Sequence, residues 1–176
     1  MDQIQINKEK AKNLTAKVAH QIREFQYENM PEELLARGRQ VLIDGIAVAV
    51  AGAKQEEPSR ILAANAKEYG GYEQASVIGL GFKTSMDHAA MINGGSMHVL
   101  DFEPMWNPPN HLMSTCLPAA LALTEKKRLD GKQLLTAMIK GVEMSAGMRG
   151  ASNMSDLNEN RFHPPAMIGP LGATVA

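Results

Sequence analysis

The feature that most constrains this chain is a run of apolar and small residues at positions 41–52, VLIDGIAVAVAG, interrupted only by Asp44. Pro31, ten residues before it, suits the first turn of a helix. We therefore predict one long helix over residues 32–53. Because its second half is apolar on nearly every face, it should be a central, buried helix. Asp44 inside it would cost free energy unless a partner satisfies it.

Helical spacing continues through most of the chain. Leu14, Val18, Ile22 and Phe25 would share one face of a helix over about residues 9–27. Aromatic residues make up 5% of the chain while Met numbers 12, a balance that favours packed helices over sandwiches and barrels. Further helices are predicted over about residues 58–69, 85–98, 111–127, 132–148 and 166–176, and residues 75–79 are either a short strand or extended chain. The predicted fold class is all-α, a bundle-like helical domain over residues 1–176.

Two ends of predicted helices indicate where one helix begins and whether the chain is a complete functional unit. Asp130 and Gln133 have the spacing of a capping box, which predicts the start of the helix that follows. The final predicted helix stays apolar and rich in small residues to its last position, whereas domains normally finish in polar termini. Either this helix docks into the core, or the chain is incomplete as a functional unit. The second interpretation is our expectation.

Charge and composition argue against several functional classes. The formal net charge is −1 and Lys and Arg form no stripe, so nucleic-acid binding has no electrostatic support. The longest apolar run is too short to span a bilayer, and residues 1–12 lack the apolar core of a signal peptide. The single cysteine, Cys116, excludes an internal disulfide and suits a reducing compartment. A cytoplasmic protein that binds neither nucleic acid nor membrane is the expectation.

The generic cofactor motifs are missing from the sequence. Residues 79–81, GLG, lack the third glycine of a dinucleotide loop, and no Walker-type Gly-Lys-Ser/Thr occurs. What remains is a polar segment at 93–103, NGGSMHVLDFE, then His111, and separately residues 161–163, RFH. Histidines and carboxylates are the usual proton-transfer groups near neutral pH. The residues alone therefore indicate a helical protein with a candidate acid–base site.

Two other interpretations of these polar residues stay open. A metal could be held by His98, Asp101 and His111, but their spacing is not a recognised ligand pattern, and we expect no metal. The same side chains could also be structural polar groups that are satisfied inside the fold.

Three blocks of the sequence, in order, resemble the MmgE/PrpD family, whose members include dehydratases, decarboxylases and epimerases of small polycarboxylic acids. Residues 42–52 resemble the family's early buried helix. Residues 89–102, AAMINGGSMHVLDF, resemble its AA-x-x-NG-x-x-x-H-x-x-D-F block. Residues 161–173, RFHPPAMIGPLGA, resemble its F-H-P block and the glycines that follow. The resemblance covers nearly the whole chain.

The resemblance implies a large helical domain, of which this chain covers the first part, with a smaller α+β domain inserted later. It also implies homodimers without a metal or other cofactor, and proton transfer beside a bound carboxylate. Carried over residue by residue, the implied catalytic residues are His111, His163 and Asp101, with Asp101 holding an imidazole in one tautomer. The residues expected to bind substrate are His98, Arg161 and Asn93.

The function implied is a subunit or fragment of a cofactor-independent lyase or isomerase that acts on a small di- or tricarboxylic acid by histidine-mediated proton transfer. We expect a second polypeptide with the rest of the fold, a homo-oligomer, or both. Pro104, Met105 and Asn107 stand where the family pattern has an acid, a hydroxyl residue and a histidine. These departures favour an alternative, a non-catalytic scaffolding subunit that retains the helical fold. Dehydration, decarboxylation and epimerisation all stay open.

Overall fold

The computed structural model describes residues 3–152 and 163–176. The chain forms two compact units, Met1–Met30 and Pro31–Ala176. The first contains α1 (Gln3–Ala11), α2 (Leu14–Glu24) and a 3-10 turn at Tyr27–Asn29. The prediction of one helix over residues 9–27 is therefore wrong. The break falls at Asn13, whose φ of 59° lies in the left-handed region that asparagine tolerates better than most residues.

The second unit is built from helices and two small hairpins. Its helices are α3 (Glu32–Gln55), α4 (Glu57–Tyr69), α5 (Met86–His98), α6 (Met113–Lys127), α7 (Gly131–Ala151) and α8 (Pro164–Val175). Strands β1 (Ala75–Val77) and β2 (Phe82–Thr84) pair antiparallel, as do β3 (Met105–Trp106) and β4 (Asn110–His111). The capping box predicted from Asp130 and Gln133 is present at the start of α7. The predicted mainly helical class is confirmed, with short hairpins in two of the loops.

Helix α5 is central in this unit. It packs against α3, α4 and α6, while α7 packs against α6 and α8. Glycine makes the closest of these approaches feasible, because a Cβ at Gly52 of α3 would overlap the backbone carbonyl of Ser96 in α5. One apolar core cluster lies where α4, α5, α6 and the first hairpin meet, formed by Ala63, Ala66, Ala75, Val77, Ala89, Ile92 and Ala122.

Helix α3 is buried on one face, so the prediction of a central, buried helix fails on its other face. Gly45, Val48 and Ala49 are buried, whereas Ile43 is 67% exposed and Ala47 is also exposed. The reason is that α5, α6 and α7 occupy one side of the helix in the described part of the chain. Asp44 was expected to need a partner, but it lies on the open side, where water can solvate it.

The start of α5 is held by groups outside the helix. Gln74 Oε1 accepts a hydrogen bond from the Met86 N–H at 3.2 Å, which satisfies one of the free N–H groups of the first turn. Ser85 occupies the N-cap position, but its side chain makes no capping bond. Its hydroxyl instead bonds to Asp87 and lowers the pKa of that carboxyl. Among the described residues, none of the helices combines the length and apolarity needed to cross a membrane.

Candidate active site

The candidate site forms around a buried carboxylate, Glu103, between the end of α5 and the start of α6. The Glu103 side chain is 0% exposed. Its Oε1 lies 3.1 Å from His98 Nδ1 and 3.2 Å from His111 Nδ1, while its Oε2 accepts the Ser114 N–H at 2.6 Å. His111 Nε2 in turn lies 3.1 Å from Asp101 Oδ1. We call His98, Asp101, Glu103 and His111 the imidazole cluster.

The local chain path explains how these residues meet. Helix α5 ends at His98, and Asp101, with a φ of 52°, turns the chain back while its N–H donates to the His98 carbonyl at 2.9 Å. Aspartate is among the few residues that adopt this left-handed conformation readily. The hairpin β3–β4 then pairs Met105 with His111, and includes a cis peptide bond between Asn107 and Pro108. The turn and the hairpin together bring His111 back over the end of α5.

Glu103 also supplies the anionic group that the first turn of α6 lacks. The first turn of α6 contains no acidic residue, and its N-cap residue Leu112 has no side chain that could cap it. The bond from the Ser114 N–H to Glu103 supplies that cap from outside the helix. A carboxylate at a helix N-terminus is stabilised by the free N–H groups and the helix dipole. Burial of a charged Glu103 is thus compensated by the helix and by the imidazoles.

His111 lies between two carboxylates. Its side chain is 12% exposed, and its two ring nitrogens face Asp101 and Glu103. An ionised carboxylate only accepts hydrogen bonds, and a neutral imidazole has only one N–H to donate. The Nδ1 contact with Glu103 has hydrogen-bond geometry, and the Nε2 contact with Asp101 is an ion pair only when the ring is protonated. The geometry suits a residue that takes up and gives back a proton.

Two more histidines lie beside His111. The rings of His98 and His111 meet edge to face with centroids 4.4 Å apart, and the His163 ring lies 6.1 Å from that of His98. His163 is the exposed residue that precedes α8, and α8 is packed against α6 and α7. His98 keeps 41% of its side chain exposed. The cluster therefore has the buried carboxylate of Glu103 on one side and the partly exposed ring of His98 on the other.

The hairpin that carries His111 is anchored to α7. Arg149 is 2% exposed, and its Nε donates to the Pro109 carbonyl at 3.2 Å. Next to His111, Asn110 is 1% exposed and its two amide atoms have no hydrogen-bond partner among the residues that the structure describes. Beside the hairpin, an apolar groove of about 200 Å³ is lined by Trp106 together with residues of α3 and α7. None of the three site histidines lines this groove.

The structure brings together four of the six residues that the sequence singled out: His98, Asp101, His111 and His163. Asn93 lies elsewhere, 1% exposed, with its amide donating to the Ser76 carbonyl at 2.9 Å and accepting the Ile78 N–H at 2.8 Å. That amide is used by the fold, and the predicted substrate contact stays a prediction. Arg161 falls outside the described residues.

Glu103 is the residue that the sequence argument missed. In the sequence it is only the last residue of the polar segment 93–103. The available signal was a second carboxylate two positions after Asp101, in a segment flanked by His98 and His111. Only the fold reveals that this carboxylate is the buried one, while the Asp101 side chain is 80% exposed.

The comparisons with known proteins agree on one family. The family profile for the MmgE/PrpD N-terminal domain matches residues 16–176. The chain is 26% identical over 170 residues to cis-aconitate decarboxylase of Mus musculus, covering 94% of this chain and 35% of that protein. It is 29% identical over 167 residues to cis-aconitate decarboxylase of Aspergillus terreus, covering 91% of this chain and 34% of that protein. The chain thus spans about a third of the length of the curated relatives it matches, and it belongs to the MmgE/PrpD family.

Proposed function

We propose that this chain is the N-terminal part of a cofactor-independent lyase that acts on a small di- or tricarboxylic acid, with His111 and His163 as its proton-transfer groups. The observation that carries the proposal is His111 held between Asp101 and the buried Glu103. The relatives named cis-aconitate decarboxylase favour decarboxylation of an unsaturated tricarboxylic acid as the reaction. The second possibility is an isomerase of the same family, because decarboxylation and isomerisation both move a proton at a carbon beside carboxylates.

Decarboxylation sets a specific demand that the imidazole cluster can meet. When CO₂ leaves, the electron pair of the broken C–C bond stays on the substrate and must accept one proton. A positioned imidazolium is a good donor for that step near neutral pH. A carboxylate faces each ring nitrogen of His111 and would stabilise the charged ring, and the exposed His163 lies on the open side of the cluster, where a substrate can approach.

The imidazoles also explain why the site would prefer substrates with several carboxylates. A carboxylate of the substrate can bond to His98, whose ring is 41% exposed, or to His163 beside it. Charge-assisted hydrogen bonds of this kind are stronger than neutral ones and also fix orientation. Asp101 faces the same region with an 80% exposed side chain, and we assign to it the positioning of His111 rather than contact with an anionic substrate.

The rest of the site comes, in this proposal, from sequence outside this chain, on a second polypeptide or another part of a longer protein. Two observations support it. The chain spans about a third of its relatives, and α3, apolar in its second half, leaves Ile43 and Ala47 exposed. An exposed apolar helix face is typical of a surface that another part of a protein covers. We also propose that the protein is cytoplasmic and forms a homo-oligomer.

The test is turnover of cis-aconitate by the complete assembly with His163→Ala. We expect activity to fall by about 100- to 10,000-fold, the range for loss of a general acid or base. His20→Ala, in α2 of the first unit, is the matched control and should keep wild-type turnover. Wild-type turnover in His163→Ala would remove His163 from the proton-transfer groups.

The second candidate is a scaffolding subunit without catalysis. Pro104 and Met105, at positions where the family pattern has polar residues, favour it because both change the chemistry of the loop beside Glu103. Calorimetric titration of the complete assembly with cis-aconitate and with citrate separates the two. Binding together with turnover supports the enzyme, while an assembly that binds neither acid supports the scaffold.

A further inference from the structure

Three side chains of the imidazole cluster present their donor atoms to one point. One ligand atom from each of His98, Glu103 and His111 lies within 4.8 Å of the others. Both contacts to Glu103 use the same carboxylate oxygen, Oε1, and both histidines use Nδ1. Convergence of two imidazole nitrogens and a buried carboxylate is more than proton transfer by His111 requires. It is also the donor set of many sites for divalent transition metals.

Two of the three donor separations match a coordination sphere. Zinc binds imidazole nitrogen and carboxylate oxygen at about 2.0–2.2 Å, so donor atoms in a tetrahedral site lie roughly 3.3 Å apart. The two Nδ1 atoms lie 3.1 and 3.2 Å from Glu103 Oε1. The donor atoms of all three residues lie within 4.8 Å of one another, so an ion among them would draw the two imidazoles toward itself.

Groups behind two of the three donors can hold them in a ligating state. Asp101 Oδ1 lies 3.1 Å from His111 Nε2, so in the tautomer that carries its N–H on Nε2 this N–H would face Asp101 and the Nδ1 lone pair would be available to an ion. The Ser114 N–H holds Glu103 Oε2 at 2.6 Å and leaves Oε1 free toward the histidines. Such outer contacts are a regular part of metal sites, where they fix the tautomer and orientation of the ligands.

We propose that His98, Glu103 and His111 form a binding site for a divalent first-row transition ion of the Zn²⁺ type, with Asp101 as the outer partner of His111. Solvent occupies the fourth position, on the open side next to His98. The nitrogen donors favour ions such as Zn²⁺ over Mg²⁺ and Ca²⁺, which prefer oxygen ligands. The set differs from the one considered from sequence, because Glu103 replaces Asp101 as the carboxylate ligand.

Occupancy by the ion and proton transfer by His111 exclude one another. The ion would use the same two atoms, Nδ1 of His111 and Oε1 of Glu103, that lie 3.2 Å apart in the imidazole cluster. Its binding would withdraw His111 from the acid–base chemistry proposed above, and this one consequence rests on the proposed function. The binding itself does not depend on that chemistry, because all three ligands belong to this chain.

The experiment is calorimetric titration of the tag-free, metal-stripped full chain with Zn²⁺. We expect one ion per chain, and affinity lowered at least about 100-fold in His98→Ala and in Glu103→Gln, which keeps the shape of the side chain. Asp101→Asn should lower it about 10-fold, as loss of an outer partner does. His20→Ala is the matched control and should bind as the wild type does.

A second measurement keeps the proposal falsifiable if a variant fails to fold. Co²⁺ added to the wild-type chain should give the intense visible absorption of a four-coordinate ion, and Zn²⁺ should abolish it. Absence of one-to-one Zn²⁺ binding by the wild type, or unchanged affinity in folded His98→Ala and Glu103→Gln, overturns the proposal. An assembly without turnover whose chain binds Zn²⁺ overturns the proposed function alone, and an active one that binds no Zn²⁺ overturns only the metal site.

Discussion

Two polar regions lie along α5, one at Asn93 in the middle of the helix and one at its C-terminal end at His98, and they are built differently. Near β1, the side chains of Asn93 and Glu125 bond to backbone groups of Ser76 and Ile78, and we call these four residues the β1 anchor. Glu125 also accepts a hydrogen bond from the Ser76 hydroxyl and pairs with Lys83. In the imidazole cluster, the buried Glu103 bonds to two side chains that can gain or lose a proton. Backbone partners have one fixed role each, whereas imidazoles have several. The difference separates a region that holds the fold from one that can perform chemistry.

The largest stability effect should come from the β1 anchor. Asn93→Ala leaves the Ile78 N–H and the Ser76 carbonyl without their side-chain partner, and each such loss costs about 1–3 kcal/mol. We expect the free energy of unfolding to fall by about 2–4 kcal/mol, which lowers Tm by roughly 5–15 °C in a chain of this size. Chemical and thermal unfolding of the chain measure both quantities.

Asn65→Ala, at an exposed position of α4, is the control and should stay within about 0.5 kcal/mol of the wild type. A result in which Asn93→Ala is as stable as the wild type but fails to bind substrate in the complete assembly would reverse the assignment of Asn93. It would move this residue from the β1 anchor to the substrate site.

A smaller effect should come from the contact that holds the imidazole cluster against α6. A Cβ at Gly94 of α5 would lie 2.9 Å from the Ser114 carbonyl, tighter than ordinary van der Waals contact. We expect Gly94→Ala to destabilise the chain by about 1–3 kcal/mol, the usual cost of overpacking. Gly147→Ala in α7 is the matched variant, because a Cβ there meets nothing within 4 Å.

In Gly147→Ala the helix propensity of alanine should raise stability by about 0.5–1 kcal/mol. Urea unfolding of both variants checks the pair. Equal stability changes of the same sign would show that the close approach of α5 to α6 at Ser114 is not a constraint on the cluster.

The smallest expected effect concerns Cys116, a buried polar group that belongs to neither region. Burial raises the pKa of its thiol above the ordinary 9.0, against the opposing hydrogen bonds of Thr115 and Ser145. As pH rises past about 9, the unfolded chain releases this proton before the folded chain does. The folded state then binds more protons, so the free energy of unfolding falls from there up to the folded pKa.

Below about pH 9 the thiol keeps its proton in both the folded and the unfolded chain, so its contribution to the free energy of unfolding is fully present. Urea unfolding of the wild type and Cys116→Ala at pH 7, 8, 9 and 10 measures it as a difference in slope. We expect the alkaline loss of stability to be less steep in Cys116→Ala. Parallel curves for the two proteins would contradict the assigned role of burial.

The helices could be predicted from the sequence because the evidence for them is local. The apolar spacing of α3, the proline before α3 and the capping box at Asp130 all act within a few residues. What failed depends on the remaining fold. Asn13 breaks a continuous helical pattern by adopting a left-handed φ, and Ile43 is exposed because the neighbours of α3 lie on its other side.

The site divides in the same way. His98, Asp101, His111 and His163 were found because they match a family pattern, and proton-transfer chemistry favours these residue types. Glu103 was missed because its burial depends on capping α6 at Ser114, eleven positions later in the chain. Asn93 was assigned to substrate because it belongs to the same block of the family pattern, while its bonding partners are Ser76 in β1 and Ile78 just after it. Contacts of this kind are set by tertiary packing and leave no local signature.

The most direct measurement of the central claim is kcat/KM of the complete assembly on cis-aconitate for two matched glutamate variants. Glu103→Gln removes the charge that His98 and His111 face, and Glu125→Gln removes the charge of the β1 anchor. We predict a loss of about 100-fold or more for Glu103→Gln, the size expected when a general acid–base group loses its partner, and near wild-type kcat/KM for folded Glu125→Gln. Wild-type kcat/KM in Glu103→Gln, or equal losses in both variants, would contradict the claim that the imidazole cluster is the catalytic region of this chain.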